Sequence, residues 1–384
     1  MKKVIILHRY LVNKGGAERV ALDDHNLLLE LGYRSKILCL FRCKKSWEGN
    51  NIESVLEKKP KNIFIKLIGN FKIILRILVY KPEYLLTSSS PLIGLLSKLI
   101  GSKVIYLDHH PITMSPFGTL RSLKILEKKI SKYYPESFDF NNYNLSKDIN
   151  TLISQFKLYL SYFSYSFFDK VVVLSNYSKL EKRNLLNKES YISVPYFNKS
   201  FVNLEYIKKV KLKKKYILSV SRLHENKNIE NIIEGFLESD LKNNGFKLII
   251  VGDGPLKNKL KKSIKNSDNI ELIGQVSDDA LLSLYAEAYM FVSLQYADYN
   301  LTAIEAMLAN CQIVVPHILY LGKSQYINDK NINFIKEISS KEELSETFKK
   351  IAKLYIENKP YEILNLDFYN YLSCKERRIK ELLS

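Results

Sequence analysis

Short apolar runs alternate along this chain with stretches of helical period. "KKVIILHRY" reads as a strand, and a loop holding Gly15 and Gly16 follows it. "AERVALDDHNLLLELG" is then a helix whose stripe is Val20, Leu22, Leu27, Leu28 and Leu31, with Gly32 at its C-terminal stop. "RSKILCLF" predicts a strand, "IFIKLIGNFKIILRILVY" a helix ending at Lys81-Pro82, and "EYLLTSS" a strand. "PLIGLLSKLIG" predicts a short helix closed by Gly101, and "SKVIYLDHH" one more strand. Such alternation points to a parallel, doubly wound sheet.

From about Pro111 to Phe168 the alternation lapses into Lys-, Tyr- and Phe-rich sequence, including a loop-like "FDFNNYNLSKDIN". "DKVVVLSNYSKLEKRNLL" restores a strand and helix, and "YISVPYFNK" is a last short strand before the basic linker "YIKKVKLKKK". The alternation then resumes with "YILSVSRL", "NIENIIEGFLES", "FKLIIVGDGPLKNKLKKSIK", "NIELIGQV", "DDALLSLYAEA", "MFVSLQ", "LTAIEAMLAN" and "QIVVP". The expected organisation is an α/β domain over 1–200, a second over 201–363, and a terminal helical piece over 364–384.

At 384 residues the chain exceeds one ordinary core, and its 46% hydrophobic and 26% charged content is that of a globular protein. No apolar run reaches the roughly 18 residues that span a bilayer. The apolar stretch in "MKKVIILHRYL" is too short for a secretory leader. Cys39, Cys43, Cys311 and Cys374 form no framework and have no clustered histidines, so a cytoplasmic setting without a zinc site is expected.

Charge adds an asymmetry. The net charge is +19, of which +16 falls in residues 1–200. A basic half facing something anionic suits a membrane surface or a nucleic acid, although lysine-rich solvated faces give the same balance. No aromatic–basic interleaving on strands supports nucleic acid, which is not expected as a partner.

Four strand-to-helix junctions carry candidate chemistry, because ligands sit at the carboxyl ends of parallel strands and helix starts favour phosphate. In "NKGGAERV", Gly15 and Gly16 permit close backbone approach. In "SVSRLHENKN", Arg222 and Lys227 offer two cations for a diphosphate. "VGDGP" ends a strand at Gly252, which would let a nucleotide approach. In "NLTAIEAM", Glu305 lies one turn inside a helix, where a carboxylate can accept from a ribose diol. Read singly, these are also a tight turn, surface cations and a solvated glutamate.

In their order and spacing, "GGAERV", "DKVVVLSNYSK", "SVSRLHENKN", "VGDGP", "LIGQV" and "LTAIEAM" resemble the family 4 (group 1) glycosyltransferases of GT-B fold. The resemblance implies two Rossmann-like doubly wound domains facing across a cleft, a UDP- or GDP-sugar donor, and transfer with retention and without a metal. It implies a hexosyltransferase of surface polysaccharide or glycoprotein glycan assembly, with a glycan or lipid-linked acceptor. Arg222 and Lys227 would then grip the donor diphosphate and Glu305 the ribose. Gly252, Gly274, Asn300, Leu301 and Thr302 would line the donor, and Gly15 and Gly16 the cleft from the acceptor side. His109, in "YLDHHPITM", matches a strand-end histidine beside the transferred sugar. "HHP" is similar to the H-x-P of lipid-linked-oligosaccharide mannosyltransferases. The final helix would cross back to the first domain.

One position departs. The family pattern has a glutamate where Ala297 stands, with Asp298 beside it, and a glycine where Asn300 stands. Asparagine tolerates the positive φ such a glycine adopts. Asp298 could act in the glutamate's stead, the donor could need no carboxylate there, or the chain could bind without turnover. A catalytically silent relative and a GT-B sugar-nucleotide epimerase are the alternative readings. "KLIGNFKIILRILVY" and the aromatic "LYLSYFSYSFFDK" are candidates to rest on the inner face of an anionic membrane, against the reading that both pack on the sheet.

Overall fold

The computed structural model describes residues 1–12, 15–43, 47, 51–88, 91–108, 165–176, 178–179, 182–183, 187–196, 213–295, 299–316, 331–336, 340–357 and 370–384. The chain divides into two compact units. Met1–Tyr196 with Cys374–Ser384 form one, and Phe197–Ser373 the other. GT-B glycosyltransferases share this plan of two parallel-sheet α/β domains.

The first unit is built on a seven-stranded sheet. In chain order its strands are β1 (Lys3–Leu11), β2 (Arg34–Arg42), β3 (Ile52–Ser54), β4 (Tyr84–Thr87), β5 (Lys103–Asp108), β6 (Lys170–Val173) and β7 (Tyr191–Ile192). Their spatial order is β3-β2-β1-β4-β5-β6-β7, and every pair is parallel. Both faces are covered, so the central strands carry runs of consecutive apolar residues, Val4–Leu7, Ile37–Phe41 and Val104–Leu107. Alternate residues serve opposite cores. Val4, Ile6, Ile37 and Cys39 join one cluster, and Ile5, Leu7, Leu38 and Leu40 the other.

Helices α1 (Gly16–Glu30), α2 (Ile63–Tyr80) and α3 (Pro91–Leu99) connect these strands. The stops anticipated at Gly32 and Gly101 have φ of +83° and +90°, the left-handed conformation that ends helices. Asn62 caps α2 by accepting from the Ile65 amide at 2.9 Å.

The helix Lys375–Leu383 packs here too, through Ile379 and Leu382 in the core cluster of α1. The Arg378 guanidinium is buried and fully used. It donates to both Asp24 oxygens, at 2.8 and 2.6 Å, and to the Ser193 carbonyl at 3.0 Å. A buried pair satisfied in this way costs about 3–5 kcal/mol to break from one side.

The second unit repeats the plan with β8 (Lys214–Val220), β9 (Lys247–Val251), β10 (Ile270–Gly274), β11 (Ala288–Val292), β12 (Gln312–Pro316) and β13 (Ile332–Ile335). Their order is β10-β9-β8-β11-β12-β13, again wholly parallel. Helices α4 (Ile229–Glu238), α5 (Lys257–Ser263), α6 (Asp278–Glu287), α7 (Leu301–Leu308) and α8 (Lys341–Ile356) belong to it, and Lys375–Leu383 is α9. Ile217, Ile250, Met290 and Val314 meet Ile232, Phe236 and Phe348 in its main core.

Where it is described, the aromatic tract before Lys170 is divided, with Phe167 44% exposed and the rings on either side packed inward. Tyr165 and Phe168 are buried, and Phe168 stacks on Tyr106 at 5.3 Å between ring centres. Two large rings gain more by filling the sheet's core than by facing solvent.

Candidate functional site

A doubly wound sheet opens a crevice where its strand order reverses, because the loops there leave in opposite directions. In the second unit this point lies between β8 and β11. The loop after β8 carries Arg222, and the 3₁₀ turn Glu225–Lys227 follows.

That loop is laced to the loop after β9. The Ser221 amide donates to the Val251 carbonyl at 3.1 Å, and the Leu223 amide to the Asp253 carbonyl at 3.0 Å. A Cβ on Gly252, where φ is +139°, would stand 1.8 Å from the Ser221 oxygen; one on Gly254 would stand 2.4 Å from the Leu223 oxygen. The position a side chain would take at Gly252 is therefore occupied by the Ser221 backbone. This glycine positions the Arg222 loop, since no side chain fits between the two strands' exits. The Gly252 amide donates to the Gly274 carbonyl at 2.8 Å, and Gly274 itself has φ of +77°.

Arg222 is exposed and Lys227 half-buried. The Lys227 ammonium donates to Gln295 Oε1, just beyond β11. Asn228 Nδ2 donates to the Leu294 carbonyl at 2.8 Å. Both sides of the switch point are thus tied together. Burial pushes the Lys227 pKa below the ordinary lysine range, and the Arg222 charge acts in the same direction. Two cations held this way disfavour each other until an anion joins them.

Helix α7 begins at the same place. Asn300 is its N-cap, with Oδ1 accepting from the Ala303 amide at 3.3 Å and the Thr302 hydroxyl at 2.8 Å. Asn300 Nδ2 donates to Ser293 Oγ at 2.9 Å. Its φ is −102°, so it does not adopt the positive φ expected of a glycine substitute; capping requires extended backbone instead. The first-turn amides of Leu301 and Thr302 lie at the positive end of this helix.

Glu305 is only 5% exposed, which removes the solvated reading. Its Oε2 accepts from the Tyr285 hydroxyl at 2.9 Å, and Tyr285 is itself buried on α6.

Neither Tyr285 nor Gln295 was anticipated. Tyr285 reads in sequence as one more core aromatic, and Gln295 as the polar end of a strand.

In the first unit Gly15 is the N-cap of α1, and Gly16 opens that helix with ordinary extended backbone before it. The switch point there, between β1 and β4, is a small crevice lined by Leu7, His8, Ala17, Val20, Thr87 and Ser88. His8 Nδ1 lies 3.1 Å from the Tyr10 carbonyl oxygen. Burial lowers its pKa, against the opposing charge of Glu18. The signal for His8 was a polar residue inside the run "VIILHRY". His109 and Asp298 lie outside the described residues, as does Ala297. The strand leading to His109 ends at Asp108, whose carboxylate takes the buried Lys182 at 2.8 Å and the Tyr165 hydroxyl at 3.1 Å. Among the described residues, no group of His, Cys, Asp and Glu converges as metal ligands.

Residues 203–363 match the family model described as Glycosyl transferases group 1. An alpha-monoglucosyldiacylglycerol synthase of Streptococcus pneumoniae is 27% identical over 41% of this chain. That match spans 37% of the relative's own length. The amylovoran biosynthesis glycosyltransferase AmsD of Erwinia amylovora is 26% identical over 80% of this chain and 78% of its own. The crystal structure of Anabaena HepE in complex with UDP and glucose superposes with a TM-score of 0.62 at 14% identity, covering 99% of this chain and 95% of that one.

Proposed function

We propose that this chain, whose residues 203–363 match the group 1 glycosyltransferase model, is a glycosyltransferase of that group and moves a hexose, or a hexose derivative, from a UDP- or GDP-sugar to a glycan acceptor carried on a lipid. The observation that carries this reading is the pair of cations at the β8–β11 switch point, with Lys227 held by Gln295. A nucleoside diphosphate is the anion that fits two cations and a helix start. Glu305, oriented by Tyr285, then meets the ribose.

As the anomeric bond breaks, negative charge grows on the departing diphosphate. Arg222, Lys227 and the α7 amides hold that charge more strongly than the ground state's, which lowers the barrier. No cofactor or metal is called on; the cations supply the neutralisation. The departing phosphate takes the acceptor's proton, and transfer proceeds with retention. The relatives' names favour polysaccharide or glycolipid assembly. A chain with four cysteines and no disulfide framework in its spacing suits a reducing, cytoplasmic-side location. No described helix is long and apolar enough to cross a membrane.

The test is a panel of UDP- and GDP-hexoses offered with free and lipid-diphosphate-linked glycans. Arg222→Ala and Lys227→Ala should each lower kcat/KM by roughly 10²–10³-fold, about 3–4 kcal/mol of barrier, with melting unchanged. Near-parental transfer by either variant overturns the assignment. Release of an epimerised nucleotide sugar in place of transfer would replace it with the epimerase reading.

A further inference from the structure

Helix α2 is apolar on both sides. Its inner side is Gly69, Ile73 and Ile77, each four residues from the next and each buried. Ile73 and Ile77 join Ile5, Leu7, Leu38 and Leu40 in the core. A Cβ on Gly69 would come within 2.6 Å of a Leu40 methyl, so the missing side chain lets the helix settle closely on the sheet. That seating fixes which side points away.

The outward side, read at 3.6 residues per turn, is Phe64, Leu67, Ile68, Phe71, Leu75 and Leu78. Phe64 is 73% exposed, Phe71 61% and Leu67 57%. Helix α3 packs beside it and adds Leu92 at 69% exposure. A helix apolar all round is ordinarily buried, and an exposed apolar patch of this extent marks a docking surface. Exposed lysines surround it. Lys58, Lys59 and Lys61 precede the helix, Lys72 lies on its flank, and Lys81 closes it.

We propose that the outward face of α2 docks the protein on an anionic lipid bilayer, with the helix lying in the interfacial plane. The apolar side chains enter the boundary between headgroups and acyl chains, while the lysine rim meets lipid phosphates. Charge selects this occupant over a second copy of the chain. A two-fold contact would set the same lysine rim against itself, whereas an anionic surface complements it. This inference goes beyond the proposed reaction and does not depend on it, since Arg222, Lys227 and Glu305 all belong to the other unit.

The test is sedimentation of the full chain with vesicles of phosphatidylglycerol and phosphatidylcholine, against phosphatidylcholine alone. Binding should require the anionic lipid. It should weaken as salt rises from about 0.1 to 1 M, which shortens screening from ~10 to ~3 Å. The triple variant Phe64→Ser, Phe71→Ser, Leu75→Ser should bind about tenfold more weakly or worse, because three large apolar groups no longer enter the lipid. Its melting should match the parent's, since those side chains face solvent. Lys61→Glu with Lys72→Glu should weaken binding while the apolar face is intact.

Absence of vesicle binding overturns the inference, as does binding that the triple variant leaves unchanged. A lower melting temperature in that variant would show the face covered by the protein itself. Loss of a parental dimer would assign it to a second copy. Either result overturns lipid docking. Donor turnover by the triple variant without vesicles is read separately. Lost lipid binding with intact turnover, or the reverse, tells which of the two readings has failed.

Discussion

The two units share a strand order and differ in what they place where that order reverses. Between β8 and β11 stand Arg222, Lys227 and the start of α7. Between β1 and β4 stand His8, Thr87 and Ser88, in a crevice without a lysine or arginine among its described lining residues. The unit with the lower net charge thus carries two cations at its switch point, and the strongly basic unit carries none there among the described residues. Net charge and site charge are separate quantities. The first concerns which surfaces the protein approaches, the second what it holds.

Breaking the first unit alone gives the largest effect. Arg378→Ala strands Asp24 in the interior and should destabilise that unit by about 3–5 kcal/mol. The chain's single tryptophan, Trp47, is buried in the same core, so its fluorescence reports this unit's melting selectively. Binding of UDP, monitored by calorimetry below that transition, should be unaffected.

A pH scan separates the units next. Burial pushes the His25 pKa down to about 4, and His25 Nδ1 lies 2.8 Å from the Ser35 hydroxyl. Above about pH 6.5 the imidazole is neutral in both folded and unfolded chains. As pH falls through the window from there to about 4, only the unfolded chain takes up the proton, so stability drops by about 3 kcal/mol. Below that window both forms are protonated and the loss levels off. The Trp47 transition should show this acid limb, and His25→Gln should flatten it. The second unit has no buried histidine among its described residues.

The smallest effect sharpens the second site. Tyr285→Phe removes the hydroxyl that Glu305 accepts from, at a cost of about 1–3 kcal/mol. A raised KM for the nucleotide sugar, with kcat changed much less, is the expected signature of a carboxylate that holds ribose. Equal losses in both would assign Glu305 to the chemistry instead.

Most of the architecture was legible because parallel strands buried on both faces leave unbroken apolar runs, and because Gly32 and Gly101 mark helix ends. The short edge strands β3 and β13 left too few residues to read. Arg222, Lys227 and Glu305 were visible as residue types at strand ends and a helix start. Their partners were not. Gln295 and Tyr285 reach them across 68 and 20 residues of chain, and such pairings exist only once the sheet has formed. Gly252 was read for its lack of a side chain, and the structure adds a neighbour that needs it. Its lack of a side chain accommodates Ser221, as only the register of β8 on β9 reveals. Helix α2 was legible as a helix, whereas the bareness of its outer side depends on what the fold leaves uncovered.

The return of α9 to the first unit also orders events in time. Asp24 and Ser193 emerge from the ribosome early, and all of Phe197–Ser373 is synthesised before Arg378 can reach them. At about 5–20 residues per second this interval is roughly 10–35 s. During it the N-terminal unit has an unfilled groove in its core and an unpaired carboxylate beside it, while the later-made unit has its own core to close. Folding therefore finishes in the reverse of the usual sequence, with the domain begun first completed last.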